Sequence, residues 1–500
     1  MEGGGGEEGV GKFLNWATNI GITDAPLDTL DLEVPSLSSS CLGKSLFISE
    51  FPDAGGRGLG AARDLRKHEL ILRVPKSALM TSESLMLKDQ KLSMSIKRYP
   101  NLSSTQILSV CLLAEVSKAK GSWWYPYLKQ LPRQYETLSS FSNFETQALQ
   151  VDDAIWATER AVSKAEMQWK EAVPLMRELE LRPQLLTFRS WLWSSATVSS
   201  RTLHVPWDSA GCFCPVGDLF NYAAPGMESF SSEEIASWMQ TSTLDLEISS
   251  SSKNTSGEEL DVECIDGDSQ RAYCFYARSR YRKGEQVLLG YGTYTNLKLL
   301  EHYGFLLNAN TNEKVFIQME QKVNISSWPK DSIYIQHDGK PSFALLSALR
   351  LCVIPPNHRK SVGHLAYSGK QLSAENEISV MKWLRKKCEV LLAKLPSSIE
   401  TDGLLLTFIE KMQNRPSICE VKKMITTCEV EIEIFFESTN SETLGEVCEL
   451  GLSNKARRSI ERWKLAVQWR LRYKQILSQC FSFCGETIYF LSAQQDSCVL

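Results

Sequence analysis

No run in this 500-residue chain approaches the 18 or so consecutive apolar residues of a membrane-spanning helix. Basic charge is not in excess either. Lys and Arg total 55 against 59 Asp and Glu, a net charge of −4, so no global basic field draws nucleic acid and any such contact would need a local patch. Histidine is scarce: His68, His204, His302, His337, His358 and His364 fall at no metal-ligand spacing and read as packing or surface residues. The 14 cysteines are scattered, with Cys212/Cys214 and Cys480/Cys484 as the close pairs, and neither has a second pair to complete a zinc site. Reduced, structural thiols and no metal are therefore expected. Met1-Glu2, the glycines Gly3 to Gly6, and then Glu7 and Glu8 do not resemble a secretory or transit peptide, and Glu2 excludes the myristoylation pattern. A cytoplasmic or nuclear location is expected from this; a chloroplast address has no support in the N-terminus.

What is present is ordinary globular material. The chain is 43% hydrophobic and 23% charged, and its length suits two to four compact units. Residues 1 to about 37 read as a poorly ordered leader with Trp16 and Ile20 as docking points. Ser45 to Ile48 and Leu70 to Val74 are short apolar runs separated by Pro52 to Gly60, which carries four glycines, so strand, glycine-rich turn, strand is expected. Ser103 with Gln106 reads as a capping box opening a nearly all-apolar, buried helix over Ile107 to Val116. Helical periods then run to Trp191. Between Glu228 and Asp268, 11 acids stand against one Lys, the pattern of a solvated acidic insert. Tyr273 to Ala277 and Gln286 to Leu289 resume strands, and the chain beyond Asn310 is mostly helical. Lys455 to Lys474 has eight basic residues against one acid, with Ile460, Trp463 and Val467 on one face. A helix packing that face and solvating its charges is expected.

Four separated segments place unusual backbone or polar groups beside strands. Gly55 to Gly60 lets backbone N–H groups approach a ligand, or makes a simple hairpin turn. It is not a dinucleotide fingerprint, because no helix followed by a distant acid completes a βαβ unit. Arg201, closing an apolar helix, can hold a carboxylate bidentately or lie on the surface. Asp218 and Asn221 interrupt the apolar run Pro215 to Tyr222 and need partners if buried, or serve as a cap and a turn. Gly290 and Gly292 flank Tyr291, and Thr295 caps a short helix leading to Tyr303, Gly304 and Phe305.

Taken in order, these segments resemble a SET-domain protein methyltransferase, of the branch of the plant Rubisco large-subunit lysine methyltransferase. The resemblance rests on Gly58-Leu59-Gly60 to Asp64, Val74-Pro75 with Leu79-Met80-Thr81, Trp124-x-Pro126-Tyr127 with Leu131-Pro132, Ser200-Arg201, Asp218 to Asn221, and Tyr291-Gly292 through to Phe305. It spans about residues 45 to 310 and extends weakly to a closing helix around Trp469 to Leu477. It implies an α+β SET fold of small twisted sheets over 38–310, with a helical insertion at about 85–200 and the acidic Ser-rich loop at about 228–268. A mostly α-helical substrate-binding domain over 311–495 follows.

The same resemblance implies S-adenosylmethionine as cofactor, held by Gly56, Arg57, Gly58, Arg201, Asp218, Asn221, Tyr222 and Tyr291. Tyr291 is the implied catalytic residue beside the transferring methyl group, and Tyr291 and Tyr303 line the channel for the target side chain. The expected reaction is protein-lysine N-methylation of a non-histone protein by a monomer, without direct nucleic-acid or membrane partners. Two alternatives stand beside it: a histidine acceptor, and a catalytically silent SET module that binds a protein. One departure raises the last of these, because the family's Asn-His pair is here Asn221-Tyr222.

Overall fold

The computed structural model describes residues 7–25, 40–51, 56–222, 272–290, 292–319, 328–413, 430–438 and 453–497. The acidic segment expected at 228–268 lies outside them. Contacts divide the chain into two compact units, Met1–Tyr135 with Ser163–Thr293, and Glu136–Val162 with Tyr294–Leu500. The second unit thus begins at Tyr294 rather than at 311, and takes 136–162 out of the stretch expected as the helical insertion.

The first unit holds eight short described strands: β1 (Leu46–Phe51), β2 (Gly56–Ala61), β3 (Leu70–Pro75), β4 (Thr202–Val205), β5 (Asp208–Phe213), β6 (Asn221–Tyr222), β7 (Ala272–Tyr276) and β8 (Leu288–Leu289). They pair as β1–β2, β3–β7 and β4–β5 antiparallel and β6–β8 parallel. Single bridges tie β2 and β5 to residues outside the named strands, Gly60 to Gln286 and Phe213 to Met80. The glycine-rich segment is therefore not a turn between β1 and β3. Gly56 to Gly60 lie within β2, in register with β1, and Phe47 faces Gly60 across the pair. A Cβ at Gly60 would sit 2.7 Å from the Phe47 ring, so a glycine is needed for a neighbour to cross the strand.

The stretch read as a poorly ordered leader also folds in part. Glu7–Asn19 is a helix whose Phe13 and Ala17 are buried, and Trp16 packs edge-on to Trp124 with centroids 5.8 Å apart. Val10, Phe13, Leu14 and Ala17 recur at helical spacing, a period obscured by the glycines and acids that precede it. Asp24, 1% exposed, then accepts the backbone N–H groups of Gly43, Ser45 and Leu46 at 2.8–2.9 Å and so fixes the entry into β1.

Helices cover this unit's sheets. Ser103 and Gln106 form the expected reciprocal cap on Ser104–Lys118, whose Leu108 to Leu113 are buried. Phe188–Arg201, capped by Thr187, carries Arg201 in its last turn. The hydrophobic core runs from Phe13 through these helices to Val287 and Leu289.

The second unit is mostly helical, as expected, with a small antiparallel pair, β9 (Lys314–Phe316) and β10 (Tyr334–Gln336). Helices Phe343–Cys352, Ala374–Ala393 and Ile399–Gln413 gather around the long helix Asn454–Ser497. Ile460, Trp463 and Val467 are fully buried, as their spacing implies. Not all the basic residues of that helix are solvated. Arg470 and Lys474 are buried, and both ion-pair with the equally buried Asp402, at 2.8 and 2.6 Å. The burial of two cations is tolerated because Glu431 adds a second carboxylate on Arg470 and the Ala148 and Ser397 carbonyls take further hydrogens.

Candidate functional site

Arg201 turns inward in the first unit. Its Nη1 donates to the Asp218 backbone carbonyl at 3.0 Å and to Oδ2 of the Asp218 carboxylate at 3.1 Å. The same Oδ2 accepts the Tyr127 hydroxyl at 2.9 Å. Burial works against the Arg201 charge, but Asp218, with Tyr135 and Tyr127 contributing, more than offsets it and raises the guanidinium pKa. Burial also pushes the Tyr127 phenol well above its ordinary value, and Asp218 adds to this, which keeps Tyr127 a donor. Asp218 is presented by a single 3-10 turn, Gly217–Leu219, entered through Val216 at φ 69°. A β-branched residue there is strained, at a cost of order 1–3 kcal/mol, and the hydrogen bonds to Asp218 hold the turn against it.

Arg57 belongs to the same cluster. Burial, followed by the nearby Arg201 charge, lowers its pKa, while Asp218 and Glu50 oppose the shift. Its guanidinium is committed to Gln130, with Nη1 donating to the side-chain oxygen at 3.0 Å and Nη2 to the backbone carbonyl at 2.7 Å. Gln130 donates in turn to the Gly9 carbonyl of the N-terminal helix at 3.2 Å. Arg57 therefore offers a ligand its backbone rather than its charge.

Beside it the strand is bare. A Cβ at Gly58 would lie 2.6 Å from the Asn221 amide nitrogen and 2.8 Å from that of Gln286, so two carboxamides converge on a backbone with no room for a side chain. Among the described residues the Asn221 amide reaches the Arg57 carbonyl, at a marginal 3.5 Å. Gly56 opens the strand at φ 80°. This cradle suits a polar ligand of mixed charge: carboxamides accept from and donate to it, while the Arg201–Asp218 pair is internally neutral.

Tyr222, next to Asn221, is 6% exposed. In β6 it pairs with Leu289 of β8, and its hydroxyl donates to the Gly292 carbonyl at 2.7 Å. A Cβ at Gly290 would meet the flexible end of the Arg278 side chain, which can move aside, whereas Gly292 sits at φ 122°, a backbone that favours glycine. Tyr291 itself lies outside the described residues. Tyr303 belongs to the second unit, where it ends the helix Asn296–His302 that Thr295 caps. Its ring lies 5.7 Å from that of Tyr294 and 6.1 Å from that of Phe305. Gly304, at φ 78°, passes against the Glu136 backbone, where a Cβ would sit at 3.0 Å.

Residues proposed from three of the four segments, Arg57, Gly58, Arg201, Asp218, Asn221 and Tyr222, thus come together in one unit, whereas the fourth contributes Tyr291, outside the described residues, and Tyr303, in the second unit. Gln130, Gln286 and Arg278 were missed, and ordinary polar residues in polar stretches carry no sequence signal. Tyr127 did carry one, in Trp124-x-Pro126-Tyr127, but without a role. Cys212 and Cys214 are buried free thiols, and among the described residues no group of three His, Cys, Asp or Glu is placed to hold a metal ion. No helix among them is long and apolar enough to cross a membrane.

Comparisons with known proteins bear on the family and the fold. The family described as Rubisco LSMT substrate-binding matches residues 297–477. Protein SET DOMAIN GROUP 40 of Arabidopsis thaliana is 51% identical over 494 residues, covering 97% of this chain and 97% of that protein. The actin-histidine N-methyltransferase of Xenopus tropicalis is 25% identical over 395 residues, 72% of this chain and 61% of its own length. The Homo sapiens protein of that name is 24% identical, and the match covers 70% of this chain and 59% of that protein. The chain therefore spans about three fifths of the length of these histidine methyltransferases. Among solved structures, the SET domain of LSMT bound to lysine and AdoHcy superposes with a TM-score of 0.54 at 17% identity, covering 97% of this chain and 93% of that one. Rubisco LSMT bound to AdoMet gives 0.52 at the same identity and coverage. The fold is thus the expected α+β SET fold followed by a helical domain.

Proposed function

Since the chain belongs to the SET-domain protein methyltransferase family, in its Rubisco LSMT-like branch, we propose that it methylates a lysine of a non-histone protein with S-adenosylmethionine as donor. The observation that carries this reading is the convergence of the Asn221 and Gln286 amides on the side-chain-free strand at Gly58, beside the Arg201–Asp218 pair. Relatives bound to AdoMet, AdoHcy and sinefungin support the choice of cofactor. When bound, S-adenosylmethionine supplies an electrophilic methyl group on a sulfonium sulfur.

The residues of this chain bind and orient. Gly56, Arg57 and Gly58 offer backbone groups, and Asn221 a carboxamide. Arg201 and Asp218 keep the turn before Asn221 in place, and Arg201 is the cation assigned to a ligand carboxylate. The Tyr291 hydroxyl orients the attacking amine. A lysine of ordinary pKa near 10.4 must first lose a proton, which at pH 7 costs about 4.6 kcal/mol. Desolvation in a narrow channel and a nearby positive charge both lower that cost, so Tyr291 need only orient the amine and not act as a strong base.

A histidine acceptor is the second reading, favoured by the similarity to actin-histidine N-methyltransferases. A neutral imidazole needs no comparable deprotonation. Transfer of a tritiated methyl group to proteins of an extract lacking this enzyme, followed by mass spectrometry of the labelled peptides, tests both. Labelled lysine supports the first reading and labelled histidine the second. Tyr291→Phe is expected to abolish or strongly reduce transfer while leaving cofactor affinity within about twofold, since a lost orienting contact acts on the reacting complex. Equal turnover by that variant removes Tyr291 from the mechanism, and cofactor binding without any transfer by the wild type supports a silent binding module.

A further inference from the structure

We infer that the helix Arg359–Tyr367 of the second unit, with the start of the helix Phe343–Cys352 beside it, is a docking surface for an acidic segment of the protein substrate, one that also carries an apolar side chain. The surface lies within residues 297–477, matched by the substrate-binding family, and that its occupant is a substrate rests on the methyltransferase reading above. Between Asp338 and Glu375 the chain has no acidic residue, although its net charge is −4, and the same stretch holds Lys340, Arg350, Arg359, Lys360 and Lys370. Three of these are spent inside the unit. Lys340 pairs with Asp338 at 3.0 Å, Arg350 with the buried Glu377, and Arg359 donates to the Cys352 and Ile354 carbonyls. Lys360 and Lys370 are exposed and have no ion-pair partner among the described residues. Lys360, His364 and Tyr367, at spacings of four and three, share one exposed face of the helix.

Aromatic rings adjoin these cations. The Trp328 ring lies 5.8 Å from that of Phe343 and 5.9 Å from that of Tyr367, so the three form one cluster. Phe343 nevertheless remains 51% exposed and Tyr367 46%. Gly369 runs against the Phe343 ring, where a Cβ would sit at 2.7 Å, and this puts Lys370 next to the cluster. The surface is held in shape from beneath. The Ser347 hydroxyl donates to the Ala366 carbonyl at 2.9 Å, and Arg350 Nη1 to the Gly369 carbonyl at 2.8 Å. Half-exposed rings rimmed by unpaired cations have the composition of a protein interface. An acidic segment supplies both missing partners, carboxylates for the lysines and an apolar side chain for the rings. Two unpaired lysines are a small footprint for a nucleic acid, whose affinity grows with the number of phosphates neutralised.

Fluorescence anisotropy of a fluorescein-labelled random copolymer of Glu and Tyr, titrated with the full chain, tests the surface. Saturable binding that weakens with salt is expected, and poly-Glu should bind about fivefold more weakly for want of the ring. Lys360→Glu combined with Lys370→Glu should lower affinity for the copolymer about tenfold at unchanged Tm, and Tyr367→Ser should lower it about fivefold. The same charge change elsewhere in the unit, Lys394→Glu with Lys411→Glu, should leave affinity within about twofold. In the tritiated-methyl assay the variant at 360 and 370 should label proteins of a limiting extract about tenfold more slowly, with KM for S-adenosylmethionine unchanged. Absence of saturable binding, an equal loss in both double variants, or weaker copolymer binding with undiminished labelling overturns the inference. A DNA duplex bound as tightly through the same two lysines overturns it as well. If the wild type transfers no methyl group, the methyltransferase reading fails, and the copolymer titration alone then decides whether this face takes an acidic segment.

Discussion

Asp218→Asn should be among the most costly single-atom changes available in the first unit. One carboxylate oxygen serves two donors, Arg201 Nη1 at 3.1 Å and the Tyr127 hydroxyl at 2.9 Å, and the carboxylate side chain is only 2% exposed. Removing one partner of a buried ion pair costs about 3–5 kcal/mol, because the remaining charge is left uncompensated. Two features reduce that figure here. Asparagine keeps one acceptor, and the Arg201 side chain retains 20% of its exposure and its bond to the Asp218 backbone carbonyl. A third feature raises it, since Arg57, which the Arg201 charge already disfavours, loses the same counter-ion. We expect about 2–3 kcal/mol, which for a body of this size lowers Tm by about 4–12 °C. Differential scanning calorimetry with and without cofactor measures it, and urea unfolding followed by tryptophan fluorescence gives an independent value. A companion pair, Arg201→Met with Asp218→Leu, removes both charges and should recover much of the loss, as apolar replacement of buried ion pairs commonly does. A destabilisation by Asp218→Asn below about 0.5 kcal/mol, the level of an ordinary surface substitution, would refute the argument that this pair supports the turn before Asn221.

Two further changes probe different parts of the chain. Gly58→Ala places a methyl group 2.6 Å from the Asn221 amide, and this should displace the carboxamide and weaken cofactor affinity by about 5- to 150-fold in isothermal titration calorimetry, for an overpacking cost of about 1–3 kcal/mol. Affinity equal to the wild type would remove Asn221 and Gly58 from the cofactor site. In the second unit, burial pushes the Glu313 carboxyl up to about 7, against the pull of N–H bonds from Asn296 and Lys314. The folded form then holds its proton more tightly than the unfolded chain, so the stability it contributes is complete below about pH 4.5 and is lost as pH rises through about 7. That loss is of order 3 kcal/mol. Chemical unfolding of the wild type across this window should show it and Glu313→Gln should flatten it; parallel pH profiles for the two proteins would contradict the shift.

The parts of this fold that were legible are those set by neighbours in the chain. The Ser103–Gln106 box, the Thr295 cap and the buried face of Ile460, Trp463 and Val467 each follow from spacings of three or four residues, and each stands as read. The misreadings share a cause. Gly56–Ala61 looked like a turn because glycine there satisfies Phe47 across the β1–β2 pair and Asn221, 163 positions from Gly58, neither of which is local. Arg470 and Lys474 looked solvated because the carboxylate that neutralises them, Asp402, is 68 and 72 residues away. Charge and glycine report on a partner's location only when the partner is near in sequence.

That limit bears on the site more than on the fold. Gln130 and Gln286 hold Arg57 and crowd Gly58, yet a glutamine in a polar stretch is consistent with almost any surface position. Tyr222 is the instructive case, because a mismatch with the family's pattern was visible while its meaning was not. A residue that differs from a motif is read as damage when only its identity is known. Its hydroxyl on Gly292, and its backbone on Leu289, give the same residue a reason to be a tyrosine. A motif records which groups a family has used, whereas the contact it serves is to hold a particular carbonyl, and a longer side chain can satisfy that from the same backbone position.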